Sequence, residues 1–217
     1  MGGSILPVTI YRGKLYLLFG KERDIDDTPG WSDFGGGTDK GESHIETAIR
    51  EGGEELTGFL GSSADLRQLL RKYGTYNIDF QSQGHDVYRC HLFPMEYNEM
   101  LPFYYNNNQR FIQARLDPKI IQNTKIFEKA QIKWFSVNEM KQKCSQFRSF
   151  YRHIVDLIWS QRKDIVEFLE NGRSGNKRSG NKRSGNKRSG NKRSGNKRTK
   201  KRRHKGASSS RRMLKSP

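Results

Sequence analysis

This 217-residue sequence predicts a mixed α/β domain, an α+β sandwich, followed by a basic tail. Three observations carry that expectation. Strand-like and helix-like segments follow one another without regular alternation, which favours a mixed sheet packed between helices over a doubly wound sheet. A glycine-rich run leads directly into a capped helix within the first quarter of the chain. The charge is also unevenly divided: from Gly172 onward there are 19 Lys or Arg residues and no Asp or Glu, which leaves 22 basic against 23 acidic residues in the first 171. The domain is close to neutral, so the net charge of +18 belongs to the tail and says nothing about the fold.

Taken in order, residues 5–10 and 14–20 are β-rich and separated by Arg12-Gly13, which predicts a hairpin. Residues 31–34 predict a short strand leading into Gly35-Gly36-Gly37. Ser43, with Glu46 three positions later, is a capping-box signature, so a helix starts near His44 and continues to about Leu56. Residues 66–73 predict a short helix, 86–95 and 131–137 strands, and 146–169 one long helix rich in aromatic residues. Residues 97–126, with Tyr104-Tyr105-Asn106-Asn107-Asn108 at their centre, have no clean period. They read as a long insertion that either shapes a substrate pocket or makes a surface excursion.

The helix after the glycines carries the chemistry. With 3.6 residues per turn, Glu51 lies one turn from both Glu54 and Glu55, so three carboxylates can converge on one point. Like charges so spaced repel; Arg50 relieves part of the repulsion and a hard divalent cation would relieve the rest. Two adjacent glycines, Gly52 and Gly53, each cost such a helix about 1 kcal/mol relative to alanine. Either the helix is locally weak or something passes close over them.

The offsets Gly36, Glu42, Arg50-Glu51 and Glu54-Glu55 resemble the box of the Nudix hydrolases, which cleave nucleoside diphosphates linked to another group. Two departures stand out: Gly52 occupies a position that is usually aliphatic, and Gly58 comes three residues after Glu55 where the family has two. The resemblance implies the Nudix fold, a mixed sheet between helices, and Mg²⁺ or Mn²⁺ as cofactor. It implies that Glu51, Glu54, Glu55 and the backbone carbonyl of Gly36 hold metal, that Arg50 orients Glu51 or its neighbours, and that Glu42 helps fix the loop. The segment from Glu128 to the Trp134-Phe135 pair resembles mRNA-decapping members, where a Glu precedes such a strand by six residues. Glu128 is accordingly a further metal or catalytic candidate, with Glu96 and Glu99 behind it, and either Glu55 or Glu128 accepts the proton from water.

The tail contains five copies of Arg-Ser-Gly-Asn-Lys between Arg173 and Lys197 and then a dense basic run. With no apolar residue from Arg173 to Lys205, this stretch cannot offset the entropy of ordering and is expected to be disordered. Lys197, Arg198, Lys200, Lys201, Arg202, Arg203 and Lys205 suit phosphate contact with RNA or nuclear import, and a tolerated repeat expansion is the bland alternative. No aromatic residue is interleaved, so base readout is not expected there. The repeat and the Asn-rich composition resemble those of large-DNA-virus proteins, some of which encode decapping Nudix enzymes.

Two cysteines form no disulfide framework and no metal-ligand spacing. No apolar run approaches the roughly 18 residues of a membrane span, so an intracellular protein, cytoplasmic or nuclear and without a membrane partner, is expected. Asp24-Ile25-Asp26-Asp27 lacks the glycine and terminal Glu of a calcium loop, and no phosphate-binding loop ending in Gly-Lys-Ser or Gly-Lys-Thr is present. The expected function is hydrolysis of a phosphoanhydride, with the 5′ cap of mRNA as the leading substrate. Nucleoside triphosphates, dinucleoside polyphosphates and diphosphoinositol polyphosphates are alternatives, and a non-catalytic nucleic-acid-binding protein is the reading from another class.

Overall fold

A computed structural model describes residues 1–23, 28–81, 86–124 and 126–179, with side chains as far as 172. The chain opens with β1 (Gly2–Tyr11) and β2 (Lys14–Lys21), an antiparallel hairpin with Val8 opposite Leu17 and Tyr11 opposite Lys14. Its two-residue turn has φ of 48° at Arg12 and 73° at Gly13. Positive φ at both central residues suits the twist of the flanking strands. The predicted strand over 31–34 is divided in two: β3 (Trp31–Ser32) pairs with β2, whereas β4 (Phe34–Gly37) pairs with β1. Asp33 sits at the division.

The box helix α1 (His44–Glu55) follows, then α2 (Ser63–Tyr73), β5 (Tyr76–Gln81) and β6 (Val87–Pro94). β6 runs parallel to β1 and antiparallel to β5, and β7 (Gln131–Ser136) lies antiparallel to β2. The seven strands make one mixed sheet in the order β3-β2-β1-β6-β5, with β4 added on β1 and β7 on β2.

Both faces of this sheet are covered, so its central strands are apolar on both sides. Ile5, Leu18, Phe93 and Trp134 join Ala48, Ile49, Leu66 and Leu70 of α1 and α2 in one core. Leu6, Leu17, Leu92 and Phe135, their neighbours along the same strands, join Tyr151, Ile154, Ile158 and Ile165 in the other. The sandwich expected from the sequence is therefore present.

Residues 97–126 are not a loop. They form α3 (Met100–Arg115) and α4 (Pro118–Thr124), and α3 turns Tyr105 and Gln109, one helical turn apart, into the protein. Asn106 beside them accepts from the Ile132 N–H at 2.8 Å and donates to the Ile132 carbonyl at 3.1 Å, so a side-chain amide completes the hydrogen bonding of β7. Among the described residues, α5 (Val137–Gln142) was not anticipated either. The predicted helix over 146–169 is two, α6 (Tyr151–Ser160) and α7 (Arg162–Ser179), broken at Gln161. It starts late because Phe147 is drawn alongside Trp31 in a parallel bridge and the Arg148 N–H donates to the Trp31 carbonyl at 3.1 Å.

α7 continues past Asn171, where the sequence reading ended the domain, because extending a formed helix costs far less than starting one. The basic run from Lys197 to Lys205 and the segment Asp24-Ile25-Asp26-Asp27 lie outside the described residues. No helix among the described residues is long and apolar enough to cross a membrane.

Candidate active site

The site is built where β4 enters α1. Glu46 accepts from the Ser43 N–H at 2.9 Å and from the Ser43 hydroxyl at 2.7 Å, fixing the helix start at the expected residue. Ile5 explains one of the two helix glycines. A Cβ at Gly52 would lie 2.4 Å from Ile5 Cδ1, so β1 packs against the helix where only glycine fits. At Gly53 the nearest atoms would be 3.9 Å away, an ordinary contact, and nothing in the structure requires glycine there.

The helix ends at Glu55, and the extra residue before Gly58 takes a left-handed conformation: Thr57 has φ 52° and Gly58 φ 71°. Such a φ is strained for a β-branched residue. Thr57 is held there by accepting from the Phe127 N–H at 2.9 Å.

Arg50 is the hub of the box. Its Nε and Nη2 donate to the two oxygens of Glu42 at 2.8 and 3.0 Å, its Nη1 donates to Glu51 Oε1 at 2.6 Å, and Nη2 also reaches the Gly37 carbonyl at 3.1 Å. Glu42 further accepts from the Asp39 N–H at 3.1 Å and the Thr47 hydroxyl at 3.0 Å. The Arg50 guanidinium, seconded by the Asp39 N–H, holds the Glu42 carboxyl down at about 2.

Glu51 leans against Gly36, where a Cβ would stand 2.6 Å from its carboxylate. Glu55 meets the preceding glycine. It is 8% exposed; Oε2 accepts from the Gly35 N–H at 2.8 Å and Oε1 pairs with Lys129 Nζ at 2.9 Å. Burial pushes its carboxyl up to about 8, against the pull of the Lys129 ammonium and with the help of Glu22. Three acidic side chains at one point were expected on α1. Among the described residues no group of three His, Cys, Asp or Glu side chains is arranged to hold a metal ion, because Lys129 and the Gly35 amide engage Glu55 inside.

Lys129, Glu22 and Arg148 were missed from sequence. Lys129 is fully buried, pairs with both Glu22 and Glu55, and donates to Ser32 Oγ at 3.3 Å. Arg148 Nη1 donates to Glu22 at 2.8 Å and its other nitrogens hold Thr28. Only the placing of Lys129 directly after Glu128 and before an apolar strand hinted at this, and a lysine there reads as solvated. Glu128 itself is half-buried, and its charge, after that of Glu55, adds to the burial that raises the Tyr105 hydroxyl above its usual range. That hydroxyl donates to the Glu55 carbonyl at 2.9 Å and the Lys129 carbonyl at 3.2 Å, tying α3 to the end of the box. The runners-up Glu96 and Glu99 line a separate hollow with Tyr97 and Leu101.

A cleft of about 400 Å³ opens beside the glycine run, bounded by Gly35 to Gly37, Asp33, Phe80, Tyr88, Arg148 and Phe150. Asp33 is held by Ser4 and by the Tyr88 hydroxyl at 2.8 Å, and burial raises its carboxyl. Gly36 belongs both to this cleft and to the Glu51 contact, so a ligand in the cleft adjoins the box.

The donor set fits a hard divalent ion: Glu51 rests on a glycine backbone that leaves its carboxylate room, with Glu54 one turn away. Comparison with curated proteins finds no match. Solved structures similar to this chain include an Ap4A hydrolase of C. elegans in a binary complex, at 13% identity over 79% of this chain and 99% of that one, TM-score 0.45. A bifunctional NMN adenylyltransferase/ADP ribose pyrophosphatase of Francisella tularensis, complexed with AMP and a Mn ion, is 16% identical over 74% of this chain and 41% of that one, TM-score 0.47. The Nudix hydrolase RenU of M. Smegmatis is 12% identical over 77% and 86%, TM-score 0.43. The family model described as NUDIX domain matches residues 4–158, which spans the sheet, the box helix and α6. With that match across most of the chain, the protein belongs to the NUDIX family and is a Nudix-type pyrophosphohydrolase.

Proposed function

We propose that the protein removes the 5′ cap of mRNA, releasing methylguanosine diphosphate, with Mg²⁺ or Mn²⁺ as its ion. The observation that carries this reading is the cleft beside Gly36. Phe80, Tyr88 and Phe150 offer ring faces and edges, and two acids, Asp33 and Asp86, stand beside two cations, Arg148 and the Met1 ammonium that pairs with Asp86. A base that is flat and positively charged, as N7-methylguanine is, gains both from stacking and from ring quadrupoles, whereas a neutral base gains only from the first. The tail supports the same reading, since its 19 basic residues would hold an RNA body by its phosphates. We place the activity inside the cell, in cytoplasm or nucleus, where that RNA is found.

Within the box, Glu51 and Glu54 with the Gly36 backbone would hold the ion, which when bound neutralises phosphate oxygens and lowers the pKa of water. Arg50 keeps Glu51 turned towards Gly36, and Glu42 keeps Arg50 in place. The carboxylate that takes the proton from water is Glu55 or Glu128. Both Glu55 oxygens are engaged, by Lys129 and by the Gly35 N–H.

The test is release of labelled methylguanosine diphosphate from cap-labelled RNA with Mg²⁺ or Mn²⁺, beside Glu51→Gln and a chain ending at residue 181. Wild type should release it and chelation should stop it. Glu51→Gln should lose at least a hundredfold, and truncation should weaken cleavage of long RNA while sparing a cap dinucleotide. No release by folded protein that turns over dinucleoside polyphosphates would replace the cap by a small phosphoanhydride. Glu51→Gln with every function intact would mean that the domain only binds.

A further inference from the structure

The box of this protein carries its own cation. Lys129 Nζ lies 2.9 Å from Glu55 Oε1 and also pairs with Glu22, in a site where the lysine is 0% exposed and the two acids 8% and 9%. Ammonium and carboxylates are brought together from β2's exit, the end of α1 and the entry to β7. Arg148, which also borders the cleft, closes the set on Glu22, so two basic and two acidic side chains meet. In such surroundings a charge is tolerated only with its partner, and removing one member leaves the others uncompensated.

We propose that Lys129 is a positioning residue that competes with the divalent ion for Glu55, and that Glu22 sets the strength of this competition by drawing the ammonium away. Lys129 reaches the cleft through Ser32, to which it donates at 3.3 Å, and meets the box through Glu55. Glu55 is turned into the domain, and Glu51 and its neighbours would hold the metal. Lys129 already touches Glu22, so losing its contact with Glu55 alone would leave the ammonium paired and make Glu55 available as a further oxygen ligand. The direction follows from charge alone. Without the ammonium no side-chain cation competes with a dication for Glu55; without the Glu22 carboxylate, the ammonium is left to Glu55 and opposes it.

This inference rests on the box as the metal site and is independent of which phosphoanhydride is cleaved. Mn²⁺ binding to the full-length protein, followed by electron paramagnetic resonance at pH 8.5 without substrate, tests it. Lys129→Met should bind Mn²⁺ at least tenfold more tightly per folded molecule, and Glu22→Gln at least threefold more weakly. Opposite signs are the signature, because a lysine that merely supports the fold would lower the folded fraction and leave both affinities unchanged. Should Lys129→Met not fold, Glu22→Gln decides by itself, since it leaves a one-to-one Lys129–Glu55 pair. Unchanged or tighter binding by Glu22→Gln overturns the proposal, as does unchanged or weaker binding by folded Lys129→Met. In the same series Glu51→Gln must lose binding; retention there would overturn the box as the metal site together with this inference.

Discussion

Gly52 and Gly53 stand side by side in α1, yet alanine should act on them in opposite directions. Helix propensity alone favours alanine at either by about 0.8–1 kcal/mol. At Gly53 nothing opposes this gain, because the new methyl would meet Leu66 and Ser63 at 3.9 Å. At Gly52 it would stand 2.4 and 2.5 Å from two Ile5 carbons, inside any real contact, and Ile5 is fully buried within β1. Overpacking of this kind costs about 1–3 kcal/mol, so the net change is from near zero to a loss of about 2. Ile5→Val removes the nearer carbon at a cost of its own of about 0.5–1.5 kcal/mol. Combined with Gly52→Ala it should cost less than the sum of the two singles. The assay is urea unfolding of the four variants, read at constant slope. Gly53→Ala should be more stable than wild type, with a melting temperature raised by about 2–4 °C per kcal/mol. Equal stabilisation by Gly52→Ala and Gly53→Ala, or strict additivity of Ile5→Val with Gly52→Ala, would refute the claim that β1 dictates the glycine.

Two further outcomes follow from the same geometry. Glu42 is held down at about 2 by Arg50, so its contribution to stability is complete above the ordinary carboxylate pKa and is lost as pH falls through about 2; Glu55, raised to about 8, contributes in the opposite sense, and its share is lost as pH rises through about 8. Urea midpoints against pH should show both flanks, with Glu42→Gln flattening the acid one and Glu55→Gln the alkaline one. Asn106→Ala removes two hydrogen bonds from the Ile132 backbone and should cost about 2–3 kcal/mol, whereas Asn106→Asp keeps the acceptor for the N–H and should cost less. Equal losses would mean that the amide is not completing the sheet.

What the sequence made legible was local. Ser43 and Glu46 set the start of α1, and Arg12-Gly13 set the hairpin, because in each case the signal and the structure lie within a few residues. The crowding over Gly52 was anticipated as one of two possibilities, but its agent, Ile5, comes from β1, which no helix pattern can name. Residues 100–115 escaped recognition because Asn106 is a poor helix former whose value lies in its bond to Ile132, and because the buried positions Tyr105 and Gln109 do not make an apolar stripe. Tyr76–Gln81 was missed as well: only Ile78 in it is fully inward, and its strand character comes from the β6 partner. Lys129 is the extreme case, since a buried ammonium is intelligible only once Glu22 and Glu55 are seen beside it.

The distances along the chain between these partners govern synthesis as well as chemistry. Glu22 meets Lys129 across 107 positions and Arg148 across 126, while Gly35 meets Glu55 across only 20. A ribosome adding roughly 5–20 residues per second therefore has α1 out and capped several seconds before its counter-cation emerges. During that interval Glu22 and Glu55 have been synthesised and the lysine that pairs with both has not. The buried ion-pair cluster is therefore completed only once residue 148 has emerged, which makes it a property of the finished domain.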